Sequence, residues 1–584
     1  MRTPGKLSAR AALRLASRAG EKADEPRRVS ICTCIIKPTA ACQKLAGLIF
    51  GAPTPGPLPG SAAGGYNHFV SWQKEVDRIE EQRRLAKELG GTEAVARQHE
   101  RGRLTIRERI AGITDPESFD EIGPIAGHAD VDEEGHLVSF APGNFVLGTG
   151  RVDGRLCVIG GEDFTQRGGS PTPAGLRKSV YSEDLALELR LPLVRFLEGG
   201  GGSVAGTSGK KGGAARGDPV YARHRFVSMA QVLREVPVVS AGVGAVAGLP
   251  AARLAGSHLS VITEKTAQVL VAGPALVERA LGEIKTKEEL GGAEVHRRSG
   301  VVDRIATDEA DAIGIVQAFL SYLPPNRHEL PPQGPITDDP QRTDEKLLAL
   351  VPRNRRRVYA MRKVIQSIVD RDSFFEMSRD FGSSLITGLA RLDATPVAIL
   401  ANDPHFVGGS MTAAAAQKMR RFLELCNTFH LPVVSLVDEP GFMIGSEAES
   451  QATIRHGLEA IRATVETTVP WVSVIIRKAY GVAAAAHFGP GATVYAWPSA
   501  ERGALPLEGG VAVAFRREIA AAPDPEAYRT ALEEKLAKGR SAFPGAESFG
   551  VHDLIDPRQT RPVLCRWLER HRPLLRHRVG GRSA

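Results

Sequence analysis

The sequence predicts two tandem α/β domains of one kind, and three observations carry that prediction. The first is an internal repeat at an offset of 240 residues. Gly148-Thr-Gly-Arg-Val-Asp153 lies over Gly388-Leu-Ala-Arg-Leu-Asp393, Gly168-Gly169-Ser170 over Gly408-Gly409-Ser410, and Leu191-Pro-Leu-Val194 over Leu431-Pro-Val-Val434. Residues 148–202 match 388–442 at 16 of 55 positions without a gap, where ordinary residue frequencies give about four. The second is an alternation of short, almost wholly apolar runs with helical stretches, the pattern of sheets covered on both faces. The third is the Pro-rich segment from Leu323 to Pro340, which separates the two copies as a linker does.

Taken in order, residues 1–70 form an N-terminal extension. Lys6, Arg10, Arg14 and Arg18 recur every four residues with no acid before Glu21. On a helix they make one basic stripe, which suits either an organelle transit peptide or a poorly ordered extension. Pro53, Pro55, Pro57 and Pro59 mark a linker before a helical pattern that starts at Ser71. The first domain is expected over residues 71–325. In it a strand (Leu156–Ile159) leads through a Gly-rich turn to a helix near 174–190, a second strand (Leu193–Leu197) and a third (Val238–Val243). After the linker at 326–340 the same order returns over residues 341–560: Val397–Leu400, a helix near 413–429, Val433–Val437 and Val472–Ile476. Residues 561–584 read as an Arg-rich tail.

Composition narrows the function classes. With 42% apolar and 24% charged residues the chain can bury large cores, which excludes global disorder. Six cysteines in 584 residues exclude a disulfide scaffold, and Cys32, Cys34 and Cys42 lack metal-knuckle spacing. The net charge of +8 sits at the ends. Residues 1–70 hold ten Lys and Arg against three acids, residues 551–584 eight against three, and the rest is net acidic at −4. Nucleic acid is therefore not the expected partner. The uncharged stretches Val236–Ala252 and Ala479–Ala500 are too broken by Pro and Gly for membrane spans and read as buried strand, turn and helix start.

Two turns could do chemistry. Glu198-Gly199-Gly200-Gly201-Gly202-Ser203 follows the second strand of the first half. Consecutive glycines leave amides uncovered for a ligand oxygen, although a flexible loop looks the same. The place at a strand's C-terminal end favours the ligand reading. In the second half, Arg477-Lys-Ala-Tyr-Gly481-Val-Ala-Ala-Ala-Ala486 follows the third strand. The first amides of a helix are unpaired and can hold an oxyanion; tight packing by alanines is the other reading. No Walker loop, HExxH or GxSxG competes. His405, His456 and His487 are read as surface or packing residues.

At these residues the chain resembles the carboxyltransferase (beta) subunit of biotin-dependent acyl-CoA carboxylases of the propionyl-CoA and methylcrotonyl-CoA type. The likeness runs from about 72 to 555. It includes Arg101-Gly-Arg-Leu-Thr-Ile-Arg-Glu-Arg-Ile110, Asp163-Phe-Thr165 with Gly168-Gly169, Glu289-Leu-Gly-Gly-Ala293, Phe422-Leu-Glu-Leu-Cys426, Asp438-Glu-Pro-Gly-Phe442, Arg477-Lys-Ala-Tyr-Gly481 and Ala496-Trp-Pro498. The resemblance implies a pair of crotonase-like carboxyltransferase domains built from repeated ββα units, the first holding the acyl-CoA and the second the carboxybiotin. It further implies a hexamer, with each active site shared between one subunit's first domain and a neighbour's second.

On that resemblance, the amides of Gly200 and Gly201 stabilise the enolate oxygen of the thioester, and those of Val482 and Ala483 polarise the ureido carbonyl of biotin. Gly168, Gly169, Gly202, Gly481 and Ala485 line the substrates. The activity implied is a C–C bond-forming ligase, moving a carboxyl group from carboxybiotin to an acyl-CoA, with no side-chain base and no metal in this chain. Two departures stand out. Gly199 to Ser203 replaces the Ser-Gly-Gly-Ala-Arg of propionyl- and acetyl-CoA members, and Ala485 stands where those members carry an Asp. A roomier or more apolar acyl pocket is the expectation. The chain has no Met-Lys-Met biotin-attachment motif and no ATP-binding half, so a biotin carboxylase and biotin-carrier alpha subunit is the expected partner. A soluble protein of the mitochondrial matrix or the bacterial cytoplasm is expected. An acyl-CoA decarboxylase subunit and a catalytically degenerate scaffold subunit are the alternatives.

Overall fold

Both halves build the same sheet. The computed structural model describes residues 71–201, 224–355, 357–538 and 540–580. In the first half the strands run in the spatial order Asp120–Glu121, Phe145–Val152, Arg155–Glu162, Leu193–Gly199, Val238–Ala247, Leu259–Thr263 and Arg304–Ala306. In the second the order is Phe375–Met377, Leu385–Leu392, Thr395–Asn402, Val433–Glu439, Trp471–Tyr480, Thr493–Ala496 and Asp553–Leu554. Each sheet has one further strand, Gln268–Leu270 or Glu501–Gly503, on the far end of its longest strand.

The repeat extends to register. Val158 pairs with Leu193 and Ala398 with Val433, each 240 residues apart from its counterpart. The parallel ladder then slips just before the end of the second strand, between Leu197 and Gly199 and again between Val437 and Glu439. In each copy the slip puts two extra residues into the third strand, between Gly242 and Val246 or between Ile475 and Ala479, a bulge that bends the strand just before its end. The second strands are buried at every position, including the polar Arg195, Glu198, Ser435, Asp438 and Glu439.

The expected helices form at Pro173–Leu189 and Ala413–Thr428. Thr172 and Thr412 cap them, each hydroxyl accepting an N–H at 3.1 Å from Gly175 or Ala415. Before each cap the chain turns through two glycines in the left-handed region, Gly168 and Gly169 (φ 60 and 70) or Gly408 and Gly409 (φ 68 and 89).

The stretch 479–500 differs from expectation at its helix start. The strand ends at Tyr480 and a single 3-10 turn, Ala483–His487, takes the place of a helix. Phe488 is extended (φ −127), and Gly489 lies so close to the Trp471 ring that a Cβ there would stand 2.6 Å from it. Pro490 follows, and no helix can continue. Residues 560–580 of the expected tail are helical, and Leu564, Trp567 and Leu568 are buried in the second half's core. Four helices between Leu507 and Glu547 stand where the first half has three, between Pro274 and Ser299.

The halves share a core, in which Phe319, Tyr322 and Leu323 meet Phe375, Leu385 and Leu389. Polar contacts lock the junction. Tyr322 donates to the Ser373 carbonyl (2.5 Å), Ser378 N–H to the Asp303 carbonyl (3.0 Å), and Arg421 pairs with Asp303 (2.8 Å). No helix among the described residues is long and apolar enough to cross a membrane.

Candidate active site

The two turns lie at the same end of the slipped ladder, the first after the second strand of its sheet and the second after the third strand. In the first half, the acid at the end is Glu198, fully buried. Its carboxylate takes Arg103 at 2.9 Å, Arg109 at 2.7 Å and the Gln98 amide at 2.8 Å. Arg109 also holds Glu309 (2.6 Å), so two buried guanidiniums and two carboxylates neutralise one another. Gly244 leaves room for this carboxylate: a Cβ there would stand 2.4 Å from Glu198 Oε1.

Above Glu198 the chain runs into Gly199–Gly201, and the Gly168–Gly169 turn packs directly onto it. A Cβ on Gly169 would stand 2.3 Å from the Glu198 carbonyl and 2.7 Å from the Gly199 Cα. Only glycine permits that approach. The structure thus sets Gly168 and Gly169, expected to line the substrate, beside Gly200 and Gly201, the expected oxyanion donors. It differs from expectation at one amide. Gly200 N–H donates to the Gly168 carbonyl at 3.4 Å, the long limit of a hydrogen bond, so this amide is already engaged. Gly201 (φ 73) has no backbone acceptor among the described residues. Gly202 lies outside the described residues.

In the second half the strand ends at Asp438 and Glu439, both fully buried. Asp438 accepts from Tyr359 Oη (2.9 Å) and Lys478 N–H (3.1 Å) and pairs with Arg477 at 3.0 Å. Like Glu198, it is consumed by its partners and is no free base. Gly481 (φ 63) turns the chain, and its N–H goes to the Gly503 carbonyl (3.1 Å). The next three amides, of Val482, Ala483 and Ala484, have no acceptor among the described residues. Gly481, Val482 and Ala485 are exposed while Ala483 is buried, so the open amides sit at the rim of an accessible surface.

Sequence reasoning missed what braces this turn. His487, read as packing, is fully buried with Nδ1 at 3.0 Å from Ser435 Oγ and Nε2 at 3.4 Å from Glu439 Oε2. Its carbonyl accepts from Trp471 Nε1 (3.0 Å) and Ser473 Oγ (2.7 Å), and Thr464 donates to Ala486 (2.8 Å). Asn402 was missed too. Its Oδ1 accepts Asp438 N–H (2.9 Å) and its Nδ2 donates to Gly409 O (3.1 Å) and Glu439 Oε2 (3.0 Å). Burial pushes the Glu439 carboxyl above its ordinary pKa, with His487 opposing. The repeat itself was the available signal, because Asn402 stands over Glu162.

Comparison with known proteins agrees with this geometry. The carboxyl transferase domain family matches residues 97–574. The propionyl-CoA carboxylase carboxyltransferase subunit of Haloferax mediterranei is 34% identical over 499 residues, covering 84% of this chain and 95% of that one. The methylmalonyl-CoA decarboxylase subunit alpha of Veillonella parvula is 32% identical, over 84% of this chain and 94% of its own. A crystal structure of the transcarboxylase 12S hexamer, with methylmalonyl-CoA and methylmalonic acid bound, superposes with a TM-score of 0.76 at 32% identity, covering 86% of this chain and 95% of that one. The paired sheets are therefore crotonase-like carboxyltransferase domains. The chain belongs to the carboxyl transferase family, as a carboxyltransferase subunit of the biotin-dependent acyl-CoA carboxylase type.

Proposed function

We propose that this subunit carboxylates an acyl-CoA at a site made from two oxyanion turns, one from each half. The observation that carries the reading is the open run of amides at Val482–Ala484, at the same end of its sheet's ladder as Gly199–Gly201 in the other half. Residues 71–325 form the acyl-CoA half and residues 341–560 the core of the biotin half. The Gly201 amide, with Gly200 once a thioester oxygen displaces its long bond to Gly168, stabilises negative charge as the α-carbon is deprotonated. The amides of Val482 and Ala483 fit a carbonyl acceptor and hold the ureido oxygen of biotin. Biotin on a partner subunit, when bound there, would supply the carboxyl group and a basic ureido nitrogen. Neither Glu198 nor Asp438 is free to take the proton, which suits a site without a side-chain base.

Ala485 is exposed beside Val482 and adds no charge to the pocket, so the reading takes acyl groups larger or more apolar than propionyl. The transcarboxylase relative assembles as a hexamer, and the same assembly here sets one subunit's first half against a neighbour's second. The test combines avidin capture from the native source with an acyl-CoA panel. A co-purifying biotinylated partner and ATP-dependent carboxylation support the reading. Turnover only of carboxylated acyl-CoAs, coupled to a membrane complex, would establish the decarboxylase instead. A well-folded oligomer inactive on the whole panel, including biotin-dependent methylmalonyl-CoA decarboxylation, would establish the scaffold.

A further inference from the structure

The two halves hold their Gly-Gly turns onto the strand end with different side chains. In the second half Asn402 does it with both ends of its amide, accepting Asp438 N–H and donating to the Gly409 carbonyl. Glu162 occupies the same place in the repeat and makes the first of these contacts, accepting Glu198 N–H at 3.3 Å. The second is missing: no hydrogen bond reaches the Gly169 carbonyl among the described residues. Yet that carbonyl and the Glu162 side chain crowd the same side of Gly199. A Cβ on Gly199 would stand 3.0 Å from Gly169 O and 3.4 Å from Glu162 Cγ. A carboxylate has no hydrogen to give a carbonyl, whereas a carboxylic acid has one.

We propose that Glu162 is the positioning residue of the acyl-side turn, its protonated carboxyl donating to the Gly169 carbonyl as the Asn402 amide donates to Gly409. Ionisation of Glu162 removes the hydrogen, sets two oxygens against each other, and loosens Gly199–Gly201. The inference rests on the acyl-CoA role given above to this turn. The charged groups around Glu162 are consistent with a neutral acid. Arg195 and Arg253 face it from the neighbouring strand and from the helix Leu249–Gly256, but both are already paired with Glu183, at 2.7 and 2.9 Å. Glu198 is held by Arg103 and Arg109, and Asp163 by Thr165 and Gln166. No uncommitted cation among these stabilises the ionised form. Burial raises the Glu162 carboxyl above its ordinary pKa, with Arg253 opposing.

The sign follows: the clamp is present at low pH and lost as pH rises through the raised value. The test measures biotin-dependent methylmalonyl-CoA decarboxylation by the full chain from pH 6 to 9, with Glu162→Gln and Glu162→Leu. Glu162→Gln gives the site Asn402's chemistry. It should stay within about threefold of the best wild-type rate and lose the alkaline decline that wild type shows. Glu162→Leu should lose about tenfold or more in kcat at every pH. An alkaline decline shared by wild type and Glu162→Gln, or wild-type turnover by Glu162→Leu, overturns the proposal. Hydrogen exchange over Leu193–Gly201 reads the same clamp without turnover, comparing wild type with Glu162→Gln at each pH so that chemical exchange cancels. Protection lost at high pH in wild type alone supports the proposal, and equal protection throughout overturns it. Should wild type give no turnover, the carboxyltransferase reading fails, and the exchange experiment still decides the role of Glu162.

Discussion

The two halves set their candidate turns on different strands of the same kind of sheet and hold them by opposite means. In the first, the turn after the strand is bare glycine, held by packing of Gly169 on Glu198 and by a charge network beneath it. In the second, the turn is a 3-10 coil fastened through Ser435, Ser473, Trp471 and Thr464 to the sheet and a neighbouring helix. What the copies retain is the slip in the parallel ladder, at Leu197/Gly199 and Val437/Glu439. A duplicated fold thus kept the slipped ladder and let the turns and side chains at its end diverge, which suits the two different ligands proposed.

The largest effects should come from the buried acids. Glu198→Ala takes a carboxylate from two buried guanidiniums, Arg103 and Arg109; Asp438→Ala takes one from Arg477 alone. Each should cost about 3–5 kcal/mol in denaturant unfolding, with Glu198→Ala the worse. Equal losses would mean that the charge network adds nothing particular to the first half.

Turnover comes next. Val482 has φ −68, its N–H has no acceptor among the described residues, and Gly481 precedes it, so proline fits there without breaking a backbone bond. Val482→Pro should lower kcat about a hundredfold, about 3 kcal/mol in the barrier, with the melting temperature unchanged. A variant of normal kcat would remove the second turn from the chemistry.

Two lysines allow a pH comparison. Lys178 and Lys418 are equivalent in the repeat and donate to the carbonyls of Gly123 and Leu385. Burial lowers them from 10.5 to about 8 and about 7 respectively. Between the folded value and 10.5 the unfolded chain binds a proton that the folded chain does not, so stability rises with pH across that window. Relative to each Lys→Met variant, wild type should gain up to about 1.4 kcal/mol per pH unit, starting near pH 7 for Lys418 and pH 8 for Lys178. Parallel urea-melt curves would contradict the assignment. The smallest effect is at the helix caps: Thr412→Ala should cost about 1 kcal/mol and Thr172→Ala more, because Thr172 Oγ1 also donates to Asn144 Oδ1 (3.0 Å), and equal losses would contradict this.

The strands and long helices were legible because buried parallel strands read as almost wholly apolar runs and the repeat showed them twice. The glycine turns were legible because close backbone approach leaves no choice of residue. The braces were not. His487 and Asn402 become meaningful only when Glu439, Ser435 and Gly409 are brought beside them by the fold. The Gly200 bond to Gly168 spans 32 residues and leaves no local signature. The helix at 560–580 hid its buried Leu564, Trp567 and Leu568 among arginines, one of which, Arg561, is itself buried against Asp370 (2.7 Å).

The division of labour between the halves is tested most directly by calorimetric titration of an acyl-CoA substrate into two variants. Gly201→Val forces a β-branched residue to φ 73, with its Cβ 3.0 Å from the Ala247 carbonyl. Val482→Pro removes one amide on the other side. The account expects acyl-CoA binding to weaken at least tenfold in Gly201→Val and to match wild type in Val482→Pro. Wild-type affinity in Gly201→Val together with weakened affinity in Val482→Pro would contradict it.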